Sequence, residues 1–225
     1  MKTSTIKQVA SVVLFAATFF PLLLFGQVSH TVNFNPSHFT FGKQDSFDVV
    51  RGKGLPMSMK VGAPMLPVKN VNLIIPSGMD VASVTITKKD PQAINGKFRI
   101  YPAQPPMVTS LNPRDRKFVP PNSAIYSSHS PYPATPVNVI GADYFDGATR
   151  IAHLRVSPFE YIPATGALTL FSEISFTLNF KSATDKPIHV RRRAKIAQDA
   201  YDQALRALFD LTFLQARLPI HWQDR

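Results

Sequence analysis

Cysteine is absent from the sequence. Its absence excludes a thiol nucleophile and any thiolate-bound metal, and it leaves an exported chain without disulfide bracing. About 200 residues follow the first apolar segment, enough to bury a core that stabilises the fold unaided. Catalytic signatures are lacking as well: there is no GxSxG elbow, Walker loop, dinucleotide fingerprint or calcium-binding loop. The six histidines stand at 30, 38, 129, 153, 189 and 221, without HExxH or short His-x-His spacing, and no nucleophile stands beside a base. The sequence therefore predicts no catalysis, no metal and no cofactor.

Acidic residues are scarce, 14 against 25 lysines and arginines, for a formal charge of +11. Nucleic acid is the usual partner of so basic a chain. Here the zinc-finger, homeodomain and RNA-recognition signatures are missing. Much of the charge sits in KPIHVRRRAK, residues 186–195, which reads as a solvated linker. No nucleic-acid partner is expected.

The chain opens with MKTSTIKQVASVVLFAATFFPLLLFGQ, in which Lys2 and Lys7 precede an apolar run from Val9 to Phe25. The run approaches the length of a short membrane span. Pro21 within it, the missing positive stop-transfer flank and the small residue Gly26 before Gln27 favour a signal peptide over residues 1–26 instead. Its removal takes away two lysines and no acid, leaving a charge of +9.

Residues 27–180 read as short strands with proline-rich joints, among them TVNFN, SFDVV, VNLIIP, DVASVTITKK, KFRIYP, VNVIGADYF, RIAHLRVSP, ALTLFS and EISFTLNF. In the last, Ile174, Phe176, Leu178 and Phe180 alternate onto one face, the period of a half-buried strand. Twenty prolines and turns such as PATG predict a mainly β fold, an antiparallel β-sandwich. A charged linker follows over 181–194, then an amphipathic C-terminal α-helix over 195–217 and a short tail over 218–225. Ile196, Ala200, Tyr201, Ala204, Leu208 and Phe209 form the helix's apolar stripe.

Four features raise the question of function. TSLNPRDRKFVPPN, residues 109–122, contains Pro113, Pro120 and Pro121, which exclude a helix and a central strand. It reads as a stiffened loop presenting Arg114, Arg116 and Lys117, or as an ordinary solvated loop. Asp143 and Asp146 in GADYFDG read as turn-shaping residues, and His153 as a strand residue with a hydrogen-bonded ring. Tyr126, Tyr132 and Tyr144 are candidates for a carbohydrate platform.

The order of three small motifs resembles the propeptide of the gingipain family of secreted cysteine peptidases. They are G-x-P-x-L-P at Gly62 to Pro67, P-A-Q-P at Pro102 to Pro105, and Y-x-P-x-T-G-x-L at Tyr161 to Leu168. Similar segments precede other proteins of the Bacteroidetes type IX secretion route. The resemblance implies a β-sandwich prodomain that assists folding of a cognate gingipain-type cysteine peptidase and keeps it latent, in cis or in trans. It implies export to the periplasm, outer-membrane surface or extracellular space, with membrane contact only through the signal peptide. It also implies an inhibitory loop in which Arg114 or Arg116, beside Lys117, enters a specificity pocket. Processing would fall at Gly26, Arg193 and Arg217. No cysteine–histidine catalytic domain accompanies the motifs, so the chain reads either as a truncated precursor or as a stand-alone inhibitor. The competing expectation is a secreted β-sandwich binding or adhesion module, for carbohydrate.

Overall fold

Antiparallel strands build most of the described backbone. The computed structural model describes residues 27–76, 78–106, 117–145 and 149–185, and residues 197, 199–201 and 203 beyond them. Among the described residues nine strands run in chain order: β1 (Val28–Asn33), β2 (Phe39–Gln44), β3 (Phe47–Gly52), β4 (Lys69–Ile75), β5 (Met79–Ile94), β6 (Val137–Tyr144), β7 (Arg150–Val156), β8 (Phe159–Ile162) and β9 (Ala167–Ser182). A single helical turn, α1 (Ser123–Tyr126), precedes β6. Every strand pairing is antiparallel.

The first sheet is organised around β9. β5 runs along the whole of one edge, and β8 and β1 divide the other. In the second sheet β7 lies between β4 and β6. β2 and β3 form a separate hairpin. Val28 and Val32 of β1 share one apolar cluster with Ile174, Phe176, Leu178 and Phe180 of β9. Val71, Leu73 and Ile75 of β4 and Ala152, Leu154 and Val156 of β7 complete it from the other sheet. The sheets thus face one another across a common core, as a β-sandwich requires. Burial of each large side chain there contributes about 1.5–3 kcal/mol relative to exposure.

The other face of the β1–β9–β5 sheet is polar. Ser29 meets Thr177 at 2.9 Å, Thr31 meets Ser175 at 2.7 Å, and the Asn179 amide donates to Ser83 and Thr85. β5 carries three register shifts and holds Pro91 in its ladder. Both features blunt a strand edge against pairing with other chains.

Several expectations need correction. ALTLFS and EISFTLNF are one continuous strand, β9, which extends through Ser182. KFRIYP forms no strand; it is extended, with isolated bridges from Ile100 to Asp48 and from Pro102 to Pro64. β2 was not anticipated. Asp143 belongs to β6 and not to a turn, whereas Asp146 lies outside the described residues. His153 is a strand residue whose ring nitrogens meet Asn72 at 2.8 Å and Asp143 at 3.1 Å, as the sequence led one to expect. The described residues of the terminal segment are helical. Tyr201 of the proposed stripe is half-buried and hydrogen-bonded to Thr149 at 2.8 Å, but Ala200 is exposed. The remainder of residues 195–217 lies outside the described residues.

Candidate docking loop and its neck

Residues 98–106 and 117–122 flank the proline-fenced stretch, and the structure joins these two flanks. Lys117 is exposed at the returning root. Arg114 and Arg116 lie outside the described residues, as do the processing candidates Gly26, Arg193 and Arg217. What the structure defines is the neck.

Gln104 closes it. Its side-chain amide donates to the carbonyl of Val119 at 2.9 Å and to that of Pro102 at 3.0 Å. Its carbonyl oxygen accepts the Val119 N–H at 2.8 Å. The two flanks then fasten to a common floor. Gly62 N–H donates to Ala103 and Ala103 N–H to Ala63, both at 2.8 Å, while Asn122 N–H donates to Gly62 at 2.9 Å. Asn122 also ends the loop, because its side-chain oxygen accepts the Ile125 N–H and caps α1.

Beneath the neck, the incoming flank is held by partners from separate parts of the chain. Phe98 N–H donates to Gly166 at 2.9 Å, and Tyr101 N–H donates to Asp48 at 2.8 Å. The Asp48 carboxylate is turned inward; it accepts the Arg99 N–H at 2.7 Å and pairs with Lys43 at 2.6 Å. The Tyr161 hydroxyl donates to Phe98 at 2.8 Å and the Tyr126 hydroxyl to Ile100 at 2.6 Å. Burial pushes both phenols above their ordinary range, so each stays protonated and donates. Phe118 closes the returning flank, its ring 5.9 Å from Tyr101 and 6.2 Å from Phe47.

All three motifs of the resemblance therefore converge on one segment. The Gly62 to Pro67 motif is the floor, the Pro102 to Pro105 motif supplies Gln104, and the Tyr161 to Leu168 motif supplies Tyr161 and Gly166. In the sequence these residues show only as a pattern; their contacts across the neck give them a role. The three tyrosines are engaged within the fold. Tyr126 and Tyr132 are half-buried, with Tyr132 bridging Tyr161, and the Arg150 guanidinium covers the Tyr144 ring at 4.6 Å. Among the described residues no cluster of three potential metal ligands occurs.

Comparison with known proteins agrees with this architecture. No curated protein matches the sequence. A chain in the complex of RgpB pro- and mature domains from Porphyromonas gingivalis is similar in fold, with a TM-score of 0.64 and 15% identity. That match covers 81% of this chain and 90% of the other. A chain in a structure addressing zymogenic latency of gingipain K, from the same organism, has a TM-score of 0.56 and 24% identity. It covers 71% of this chain and 89% of its counterpart. The Propeptide_C25 family model matches residues 30–206, most of the chain and all strands from β2 to β9. The chain belongs to the Propeptide_C25 family, the propeptides of gingipain-type peptidases.

Proposed function

We propose that this chain is an exported, non-catalytic prodomain that assists the folding of a gingipain-type cysteine peptidase domain and holds it latent. The loop over residues 109–122 acts as the plug, with Arg114 or Arg116, beside Lys117, entering the specificity pocket. The neck carries this reading: Gln104 joins the two flanks of a cation-bearing loop, and the family's motifs hold that neck from below. A loop fastened at its base loses less conformational freedom on docking than a free one. A guanidinium offers a rigid fork of donors to a carboxylate at a pocket floor. The solved relatives, a pro- and mature-domain complex and a structure addressing latency, fit the same role. Signal-peptide removal at Gly26 and tryptic-type processing at Arg193 and Arg217 complete the reading.

Inhibition assays test it. The purified chain slows an Arg-specific gingipain-type peptidase more than a Lys-specific relative. Arg114→Ala with Arg116→Ala removes most of the effect, because a buried carboxylate deprived of its cation costs about 2–5 kcal/mol. The melting temperature of the double variant stays that of the parent. Unchanged inhibition by a folded double variant assigns the plug elsewhere, and absence of inhibition by the parent refutes latency in trans.

A further inference from the structure

Ile151 is 1% exposed, yet it does not belong to the apolar cluster between the two sheets. Ala152, Leu154 and Val156 of β7 point into that cluster, so Ile151 and His153 point to the opposite face. In the ladder Ile151 lies between Ile74 of β4 and Asp143 of β6. Ile74 is half-buried and Asp143 is exposed. Two such neighbours leave the top of an isoleucine open to water on a bare sheet face. Burial this complete requires a cover from above. Further along the same face Asn70, Asn72, His153 and Arg155 are polar, so the apolar end is the one formed by Ile74 and Ile151.

Tyr201 marks what lies there. Phe145 N–H donates to the Thr149 carbonyl at 2.9 Å, which carries the β6–β7 register one step beyond Tyr144 and Arg150. Thr149 therefore shares the face of Ile151. The Tyr201 hydroxyl meets that of Thr149 at 2.8 Å, from 52 residues away. Ala197, Asp199, Ala200 and Gln203 of the same helical segment are exposed, whereas Tyr201 is half-buried. One side of the segment thus bears on the sandwich. Upstream, Asp185 pairs with Arg150, the residue next to Thr149. Residues 186–195 join these two points of attachment.

We infer that the Ile74–Ile151 end of the β4–β7–β6 sheet is the seat of the helical segment around Tyr201, and that it holds this segment without a covalent tether. A cut within residues 186–195 then nicks the chain and leaves its two pieces together. Of the two tryptic-type sites proposed above, Arg193 lies between the attachments at Asp185 and Tyr201, and Arg217 lies beyond both. Cleavage at Arg193 alone therefore leaves the Tyr201 segment in place. The position of the cut rests on that reading; the seat does not.

A recognition site for a sequence-specific protease, placed in the full chain over residues 187–192, allows a single cut. After cleavage the two pieces co-elute from a sizing column in native buffer and separate in urea. Dilution of the nicked protein gives their dissociation constant. Tyr201→Phe and Thr149→Val each raise it about fivefold, the worth of one hydrogen bond. Together they raise it no further, because both remove the same bond. Tyr201→Ala also removes the ring and raises it more. Thr40→Ala, at an exposed position on β2, changes nothing. Circular dichroism verifies that each variant keeps its strands. Separation of the parental pieces in native buffer overturns the seat, as does parental affinity in Tyr201→Ala. No peptidase takes part, so neither result touches the latency reading, and failure of inhibition leaves the seat standing.

Discussion

The Gln104 side chain and the Val119 backbone pair as two strands would. The glutamine amide donates to the Val119 carbonyl at 2.9 Å and accepts its N–H at 2.8 Å, across fifteen residues of chain. A side chain thus replaces a backbone ladder where prolines deny one. Pro102, Pro105, Pro106, Pro120 and Pro121 flank the pair and have no N–H to contribute. Joining positions fifteen residues apart in this way restricts the chain where the two flanks meet.

Gln104→Glu is therefore expected to be worse than its near-identical shape suggests. Two carbonyls, of Val119 and Pro102, face the amide nitrogen. An ionised carboxylate offers them no donor, so repulsion replaces two hydrogen bonds. Gln104→Ala loses the same bonds without the repulsion, at about 1–3 kcal/mol. Urea midpoints at pH 7 should rank parent above Ala above Glu, and tryptic cleavage after Lys117 should quicken in the same order. Equal midpoints for parent and Glu would show that the clamp does not hold the neck.

Gly166 gives a second, sharper contrast. Its φ is +74°, and a Cβ there meets the Phe98 carbonyl oxygen at 2.9 Å and the Phe98 nitrogen at 3.0 Å. Both are backbone atoms of the flank that Gly166 itself holds by hydrogen bond. Gly54 has a similar φ of +71° and nothing within 4 Å. Gly54→Ala should destabilise by about 1–2 kcal/mol, the conformational term alone. Gly166→Ala adds a backbone clash and should exceed it clearly, by chemical denaturation. It should also impair peptidase binding, since the neck must shift. Similar losses for the two variants would mean that the approach to Phe98 relaxes freely.

How much of this was legible in the sequence depends on whether an element's partners are local. The alternation of Ile174, Phe176, Leu178 and Phe180 is legible because a half-buried strand imposes it, and all four are buried. The continuity of β9 is not. Ser172 and Glu173 look like a break between two strands, yet Ser172 donates to Asp90 and Glu173 pairs with Lys88 at 2.9 Å. The polar pair is satisfied across the sheet and need not leave it. Residues 97–102 have strand-like composition but take their backbone partners from Asp48, Met65 and Gly166, three distant places. Local propensity carries no record of such an arrangement. Gln104 is invisible for the same reason: a glutamine between prolines has no signature until Val119 is seen beside it.

Limited trypsin digestion tests the proposed division of the chain. Residues 186–195 carry KPIHVRRRAK, whereas Arg51, Arg150 and Arg155 are held in strand ladders. A protease needs an accessible, extended substrate, so ladder arginines resist until the sandwich opens. The first cuts should fall within residues 186–195, with mass spectrometry recovering an intact fragment ending there. Early cleavage at Arg150 or Arg155 would instead place the weak point inside the sandwich.

The last prediction concerns Arg150, 3% exposed at the start of β7. Its guanidinium pairs with Asp185 just beyond β9, lies 3.6 Å from Asp80 of β5 and stacks on Tyr144 of β6. The neighbouring Thr149 hydroxyl meets Tyr201 at 2.8 Å, so adjacent residues of the sandwich hold the chain on both sides of residues 186–195. The hydrogen bond from Arg150 is the main reason that the Asp185 carboxyl titrates below its ordinary range. A carboxyl lowered by folding contributes stability above its unfolded pKa, near 3.9, and loses that contribution as pH falls through its folded value. Melting temperature should therefore drop between about pH 5 and pH 2 more steeply in the parent than in Asp185→Asn. Charge burial predicts a further asymmetry. Asp80→Asn with Asp185→Asn leaves a buried cation without a counter-charge, whereas Arg150→Met removes the buried charge and lets the carboxylates, both partly exposed, return to water. The double asparagine variant should melt well below Arg150→Met at pH 7. The reverse order would show that Arg150 acts by packing against Tyr144 and not by closing an ionic clasp on the outgoing chain.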